Sequence, residues 1–106
     1  MSIKLFCLEK GKTPAVQHAF PVNISREETV GDLKKVIKAE KQNDFARVDA
    51  DKLKLWKVEI PVDRNELSQG QPLQDNDQLR ATDYIDEHWT DRPLRKHVHI
   101  IVEVPT

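Results

Sequence analysis

The sequence has 106 residues, enough for one domain and too few for two independent hydrophobic cores. Basic and acidic residues nearly cancel, 17 against 18, so nothing in the composition favours nucleic acid, whose phosphates attract a basic stripe. No apolar run approaches the ~20 residues that a membrane-spanning helix needs. We therefore expect residues 1–106 to form a single globular domain with no membrane span and no nucleic-acid partner.

Two apolar stretches near the N-terminus alternate with a period of two, which is typical of strands. They are Ile3–Leu8 and His18–Ile24, and the loop between them contains Gly11 and Pro14. Two strands joined by a loop with glycine and proline predict a β-hairpin. The single cysteine, Cys7, cannot form an internal disulfide, and within the first strand we expect it to be a small buried hydrophobic residue.

A helix is predicted after the hairpin. The segment Thr29-Val-Gly-Asp32 resembles a capping box, in which the Thr29 hydroxyl accepts a hydrogen bond from a free backbone amide, so we place the N-cap at Thr29. Apolar residues then recur with helical spacing at Val30, Leu33, Val36 and Ile37. Lysines fill much of the remaining helix surface and are expected to be solvated: Lys34, Lys35, Lys38 and Lys41.

The second half of the chain contains two clear strand patterns separated by irregular sequence. Asp49–Ile60 alternates and ends against a proline, and the last apolar run, Lys96–Val104, alternates again. Between them, the polar stretch Val62–Asp77 predicts a long connection with one very short strand near Leu73. Apolar residues from Leu79 to Trp89 predict a second short helix or an irregular segment.

This order of elements predicts an α+β fold of the β-grasp or ubiquitin-like type. The sheet should be mixed and four- to five-stranded, with one main helix packed on one face and the last strand inserted in its middle. One core is expected between the helix and the sheet, formed by Leu5, Phe20, Val22, Val30, Leu33, Ile37, Leu55, Ile100 and Val102.

The sheet face turned away from the helix, here called the second face, is the candidate binding surface. Alternation places Phe6, Trp56, Val58 and Ile101 on it, and exposed aromatic residues beside aliphatic ones are typical of protein-binding hot spots. We predict that a protein partner or a second copy of the chain binds there, weakly in the latter case. In the alternative, Val62–Asp77 or Tyr84–Trp89 folds over Trp56 and buries it.

No catalytic, cofactor or metal site is predicted. His97 and His99 share a strand face at a spacing that could hold a metal, but solvent-facing histidines are expected because further ligands are lacking nearby in sequence. The carboxylates lie in loops, and no serine or cysteine nucleophile motif is present. We therefore expect no enzymatic activity. The chain ends Val-Glu-Val-Pro-Thr106, without the double glycine of a conjugated modifier, so we also expect no conjugation to other proteins.

Several long segments resemble the N-terminal domain of Crinkler effectors. These are Lys4–Cys7, Glu28–Asp44 and Val48–Val58, which contains Asp-Ala-Asp-Lys-Leu, and the tail His97–Val102 continues the likeness in the manner of fungal members. The oomycete motif Leu-x-Leu-Phe-Leu-Ala-Lys corresponds here to Leu53–Glu59, where the leading leucines and the aromatic position match and the last three residues differ.

The resemblance implies a function for the whole chain. Crinkler effectors are modular proteins of fungi and oomycetes, in which a ubiquitin-like N-terminal domain associated with secretion and entry into host cells precedes a variable C-terminal effector domain. It implies a non-catalytic trafficking or recognition module, found extracellularly after non-classical secretion and in the host cell. The alternative is an intracellular ubiquitin-like adaptor for a signalling partner, which would be cytoplasmic.

Overall fold

In the computed structural model, which describes residues 2–10, 15–42, 45, 47–61 and 78–104, one main helix packs on a five-stranded sheet. The strands are β1 (Ser2–Glu9), β2 (Phe20–Ser25), β3 (Lys54–Pro61), β4 (Gln78–Leu79) and β5 (His97–Glu103). The helices are α1 (Ala15–His18), α2 (Val30–Glu40) and α3 (Ile85–His88), with a 3-10 turn at Ala50–Lys52. None of the described helices is long and apolar enough to cross a bilayer.

The sheet has the strand order β2-β1-β5-β3-β4, so the last strand lies in its centre. Strand β5 runs parallel to β1 and antiparallel to β3, whereas the β1–β2 and β3–β4 pairs are antiparallel. A mixed sheet with a central C-terminal strand and one main helix is the β-grasp arrangement. The predicted fold class is therefore confirmed.

The start of α2 is fixed by the capping box that the sequence predicts. The Asp32 amide donates to the Thr29 hydroxyl at 3.3 Å, and the Thr29 amide donates to the Asp32 carboxylate at 3.2 Å. The Thr29 hydroxyl also donates to the Asp32 carboxylate, at 3.0 Å, and the two hydrogen bonds that this carboxylate accepts from Thr29 hold the pKa of Asp32 below its ordinary value. The Val30 amide, a second free donor of the first turn, reaches the Asp83 carbonyl at 2.8 Å. The helix start is thus also attached to the segment before α3.

The main core lies between α2 and the sheet. Helix α2 contributes Val30, Leu33 and Ile37, all of which are fully buried. All nine residues predicted for this core belong to it, and they are joined by Cys7, Phe45, Leu53, Ile85 and Trp89, among others. Helical spacing and strand alternation were therefore sufficient to identify the residues that face each other across this layer.

Two predicted elements differ in position from the observed ones. His18 ends the short helix α1, so β2 begins at Phe20, two residues later than the predicted strand. The short strand expected near Leu73 falls outside the described residues, and the described short strand is β4, which pairs Leu79 with Leu55 of β3. The strand near Leu73 therefore stays a prediction, whereas Leu79, predicted in a short helix or irregular segment, and His18, predicted in a strand, belong to other element types.

Lys34 is not on the solvated face of α2, contrary to the prediction. Its side chain is buried, and burial lowers the pKa of its ammonium group while the negative charge of Asp51 acts in the opposite direction. The Lys41 ammonium lies 5.0 Å from the centre of the Phe20 ring, a cation–π distance. Long aliphatic stems allow lysines to cover apolar surface, which a count of charged positions does not reveal.

Replacing Leu33 with alanine should lower the free energy of unfolding by about 2–5 kcal/mol, because the substitution leaves a cavity at a fully buried position. The matched control is Lys35→Ala, an exposed position on the same helix, which should change stability by less than about 0.5 kcal/mol. Urea unfolding followed by circular dichroism measures both. Equal effects of the two substitutions would contradict the assignment of Leu33 to the core.

Candidate partner-binding surface

The second face of the sheet carries a buried apolar cluster. Strand register aligns Leu8 of β1 with Ile101 of β5, and Ile101 with Trp56 of β3, so the three residues form one row across the sheet. They pack with Ile60 and Val98, and only 4% of Ile101 and 7% of Trp56 is exposed. The expectation of an open second face is therefore wrong for Trp56 and Ile101, which are members of a second core.

Trp56 contributes to this cluster by packing. Its indole N–H is buried and has no hydrogen-bond partner in the described part of the chain. Ala19, which follows α1, and Val58 pack against the same cluster. Alternation correctly placed Trp56 away from the helix, but it does not tell whether another part of the chain covers that side.

Phe6 and Val58 are the predicted site residues that retain accessible surface. Both are half-buried, and Phe6 lies between Leu5 and Cys7, which belong to the main core. Its ring centre is 6.3 Å from that of His99. Val58 lies at an irregularity in the pairing of β3 with β5, between Lys57 and Ile60. Of the four predicted residues, Phe6 and Val58 thus keep accessible surface, whereas Trp56 and Ile101 are buried.

Val98 and Ile100 of β5 belong to different cores. Val98 packs with Ile60 and Trp56 in the second cluster, whereas Ile100 belongs to the main core, although strict alternation would put both on one side of the strand. The pairing of β3 with β5 has an extra residue on β3 at this point, since Lys57 lies opposite Ile100 and Ile60 lies opposite Val98. The two strands therefore depart from a period of two where these side chains pack.

His99 is buried within the sheet, contrary to the prediction that it faces solvent. Only 4% of it is exposed; the Phe6 amide donates to its Nδ1 at 3.0 Å, and its Nε2 lies 2.7 Å from the Leu94 carbonyl oxygen. These partners require a neutral ring in which Nδ1 accepts and Nε2–H donates. Both ring nitrogens are occupied, so His99 has no free lone pair for a metal ion.

The environment of His99 favours its neutral form. Burial lowers the pKa of its ring, the Leu94 carbonyl opposes this effect, His97 lowers the pKa further, and Glu59 raises it. A proton on Nδ1 would also oppose the Phe6 N–H, because two donors would then point at each other. Nothing in the sequence indicated this role, since alternation in β5 predicts only the side of the strand on which a residue lies.

The loop Arg92–Lys96, here called the basic loop, is exposed next to this histidine. Arg92, Arg95 and Lys96 are exposed, and 48% of Leu94 is accessible between them. Within the described residues, these three cations take part in no ion pair. His97 Nδ1 lies 2.7 Å from the Arg95 carbonyl oxygen, and a donated hydrogen bond from the ring fits that distance. His97 and His99 therefore each form a hydrogen bond with a backbone carbonyl of the basic loop.

The titratable groups offer little support for catalysis. Cys7 is fully buried, and burial raises the pKa of its thiol, which disfavours the reactive thiolate. The Asp83 carboxylate lies 3.0 Å from His88 Nε2, and this hydrogen bond lowers the pKa of Asp83. Among the described residues, no three histidine, cysteine or acidic side chains come together as metal ligands.

Replacing Trp56 with alanine should lower the free energy of unfolding by about 3–5 kcal/mol, because a large side chain is removed from the second core. Lys54→Ala, an exposed position two residues earlier in β3, is the matched control and should stay within about 0.5 kcal/mol. Chemical denaturation measures both. A Trp56→Ala variant as stable as the control would show that Trp56 packs against nothing.

Acidification should destabilise the domain through His99. The pKa of His99 is lower in the folded state than its ordinary 6.5, so below about pH 6.5 the unfolded state binds more protons and the free energy of unfolding falls with pH. Asp32 and Asp83 affect stability only at lower pH. Their pKa values are lowered in the folded state, so the stability that they contribute is lost as pH falls below about 3.8, the ordinary pKa of an aspartate.

Thermal melts between about pH 7.5 and pH 5 measure this effect. The variant His99→Gln, whose amide can both accept and donate, should depend less on pH in that range, whereas His97→Gln should retain the dependence of the natural protein. A parallel loss of stability in the natural protein and in His99→Gln would contradict the role given to His99.

Comparisons with known proteins find relatives along nearly the whole chain. The sequence model of the Crinkler effector protein N-terminal domain matches residues 3–103. Crinkler effector protein 1 of Rhizophagus irregularis is 47% identical over 105 residues, covering 99% of this chain and 22% of that protein. Crinkler effector protein 8 of Phytophthora infestans is 31% identical over 121 residues, covering 97% of this chain and 19% of that protein.

A solved structure, the ubiquitin-like domain of PLXNC1, aligns with 100% of this chain and 99% of its own, at 13% identity and a TM-score of 0.48. The chain spans about a fifth of the length of the two relatives that it matches almost throughout. The family match covers nearly every residue from β1 to β5. The chain therefore belongs to the family of Crinkler effector N-terminal domains.

Proposed function

We propose that this domain is the non-catalytic N-terminal trafficking and recognition module of a modular effector. The observation that carries the proposal is the family match over residues 3–103, together with relatives about five times longer than the matched region. In such a protein a C-terminal effector domain would supply the activity. The N-terminal domain would bind proteins and support delivery into host cells after secretion by a non-classical route.

The chemistry of the described residues supports binding rather than catalysis. Cys7 is buried in the main core, and both nitrogens of His99 are used to hold backbone groups. These are the side chains whose chemistry could most readily have served a reaction. Their use in the fold leaves recognition by surface contact as the function that the domain fits best.

We propose that the second face contributes the contact surface. Phe6 and Val58 would touch the partner, and Val58 packs on the cluster that contains the buried Trp56 and Ile101. Two half-buried side chains supply a small apolar area, and small interfaces bind weakly. The isolated domain should accordingly bind its partner, or a second copy of itself, only at high concentration unless further contacts assist.

Delivery is tested by exchanging domains in a related effector. Residues 1–106 replace the N-terminal domain of Crinkler effector protein 8 in Phytophthora infestans, and the chimera carries one fragment of a split fluorescent reporter. Host cells express the complementary fragment. The proposal predicts host-cell fluorescence from the chimera and its loss when the domain is deleted.

A second chimera carries Phe6→Ser with Val58→Ser, and its control carries Tyr84→Ser, which changes an exposed aromatic residue elsewhere. The proposal predicts reduced delivery for the first and unchanged delivery for the second, with all chimeras present at equal levels. Host-cell fluorescence that does not depend on residues 1–106 would refute the trafficking function. Equal delivery by both surface variants would remove the second face as the contact site.

A further inference from the structure

We propose that the basic loop, Arg92–Lys96, is a preformed docking site for an acidic segment of a protein partner, one that carries an apolar side chain between its carboxylates. This inference deepens the proposed function, since it rests on the domain acting by binding and names the chemistry of the partner. It draws on two features of the loop: three exposed cations next to an accessible leucine in the sequence, and two histidines of β5 whose rings hydrogen-bond carbonyls of the loop.

Two hydrogen bonds from β5 hold the backbone of the basic loop. The Leu94 carbonyl accepts from His99 and the Arg95 carbonyl from His97, both at 2.7 Å. Lys96 then adopts a left-handed backbone conformation with φ of 57°, which is uncommon for a residue other than glycine. Such backbone persists where its surroundings hold it, and it often occurs at functional segments. A loop that is already ordered loses little entropy on binding.

The side chains of the basic loop suit a partner that carries both carboxylates and an apolar side chain. The guanidinium groups of Arg92 and Arg95 can each bind a carboxylate through two parallel hydrogen bonds, and Lys96 adds a third positive charge. Leu94 lies between them in sequence with 48% of its surface accessible, so an apolar partner side chain can remove it from water. A partner with alternating acidic and apolar residues satisfies both requirements.

The charges around the loop favour a protein segment over a planar or polymeric anion. Exposed carboxylates, Asp86, Glu87 and Asp91, lie just before the loop in the sequence. A flat anionic membrane would bring its charge close to them, whereas a narrow peptide can contact the loop alone. Nucleic acid is disfavoured by the net charge of −1 and by the absence of an aromatic residue from the basic loop.

The basic loop borders the second face. One imidazole ring, that of His99, separates the Leu94 carbonyl from the Phe6 amide. A peptide on the loop could therefore extend toward Phe6, and the loop would add charge contacts to an apolar patch that is small by itself. The two surfaces together would form a longer interface than either alone.

The test uses fluorescence anisotropy with a labelled synthetic peptide, Asp-Glu-Leu-Glu-Asp, and a basic peptide of the same length as the negative probe. Natural protein should bind the acidic peptide, and binding should weaken as salt is raised. Arg92→Glu with Arg95→Glu should weaken binding at least about tenfold. The charge-matched control is Lys35→Glu with Lys54→Glu, exposed positions away from the loop, which should bind nearly as well as the natural protein.

Two further variants test the ordering of the basic loop and its apolar contact separately from its positive charge. His97→Ala leaves the three loop cations in place but removes the hydrogen bond to Arg95, and it should weaken binding about threefold or more. Leu94→Ser should weaken binding without changing its dependence on salt. Each variant is checked by a thermal melt, and Arg92→Gln with Arg95→Gln replaces the glutamate pair if that pair does not fold.

Equal loss in the charge-matched control would overturn the proposal, because binding would then follow net charge alone. It would also be overturned if the protein bound anionic phosphatidylserine vesicles or RNA through the same arginines and ignored the acidic peptide. Neither result would bear on delivery, which the domain exchange measures separately, so failure of this inference can be told from failure of the proposed function.

Discussion

The central position of β5 is the constraint on which the rest of the domain depends. This strand pairs with β1 on one side and β3 on the other, and it contributes to the cores on both faces of the sheet. Ile100 and Val102 face α2, whereas Val98 and Ile101 belong to the second cluster. Without β5, the sheet would separate into the β1–β2 and β3–β4 pairs, and two-stranded sheets are marginal alone.

The same strand links the fold to the candidate binding surface. The parallel ladder between β1 and β5 begins at the pair Cys7 and Ile100, and at the preceding position the Phe6 amide bonds to the His99 ring. The opposite nitrogen of that ring holds Leu94 in the basic loop. A polar ring inside a sheet would be costly without partners, and here both of its nitrogens have one. The histidine thus connects the sheet to the loop that precedes β5.

Much of the fold was predictable because its signals are local. The Thr29 capping box marked the start of α2, and the apolar run of β5 predicted the central position that this strand has in the sheet. The environment of Trp56 was not predictable, because alternation gives the side of a strand and not what covers it. The burial of Lys34 and the packing of Val98 depend on a flexible side chain and a bulge, and neither has a signature in one sequence.

The proposed contact surface was visible in the sequence only in part, for the same reason. Strand alternation predicts that Phe6 and Val58 lie on the second face, and both keep accessible surface. The basic loop was not identified, because its order comes from His97 and His99, which contact residues two and five positions earlier. Considered alone, the spacing of two histidines at alternate strand positions is typical of a metal site or of a solvent-exposed side of the strand. Only the path of the chain before β5 shows that they bind backbone carbonyls.

The state of the His99 ring tests most directly whether β5 holds the basic loop to the sheet. Nitrogen-15 NMR at neutral pH should show a neutral ring with the proton on Nε2, and the Phe6 amide should exchange slowly with solvent because it donates to Nδ1. A ring protonated on Nδ1, or a Phe6 amide that exchanges as fast as an exposed one, would contradict this connection.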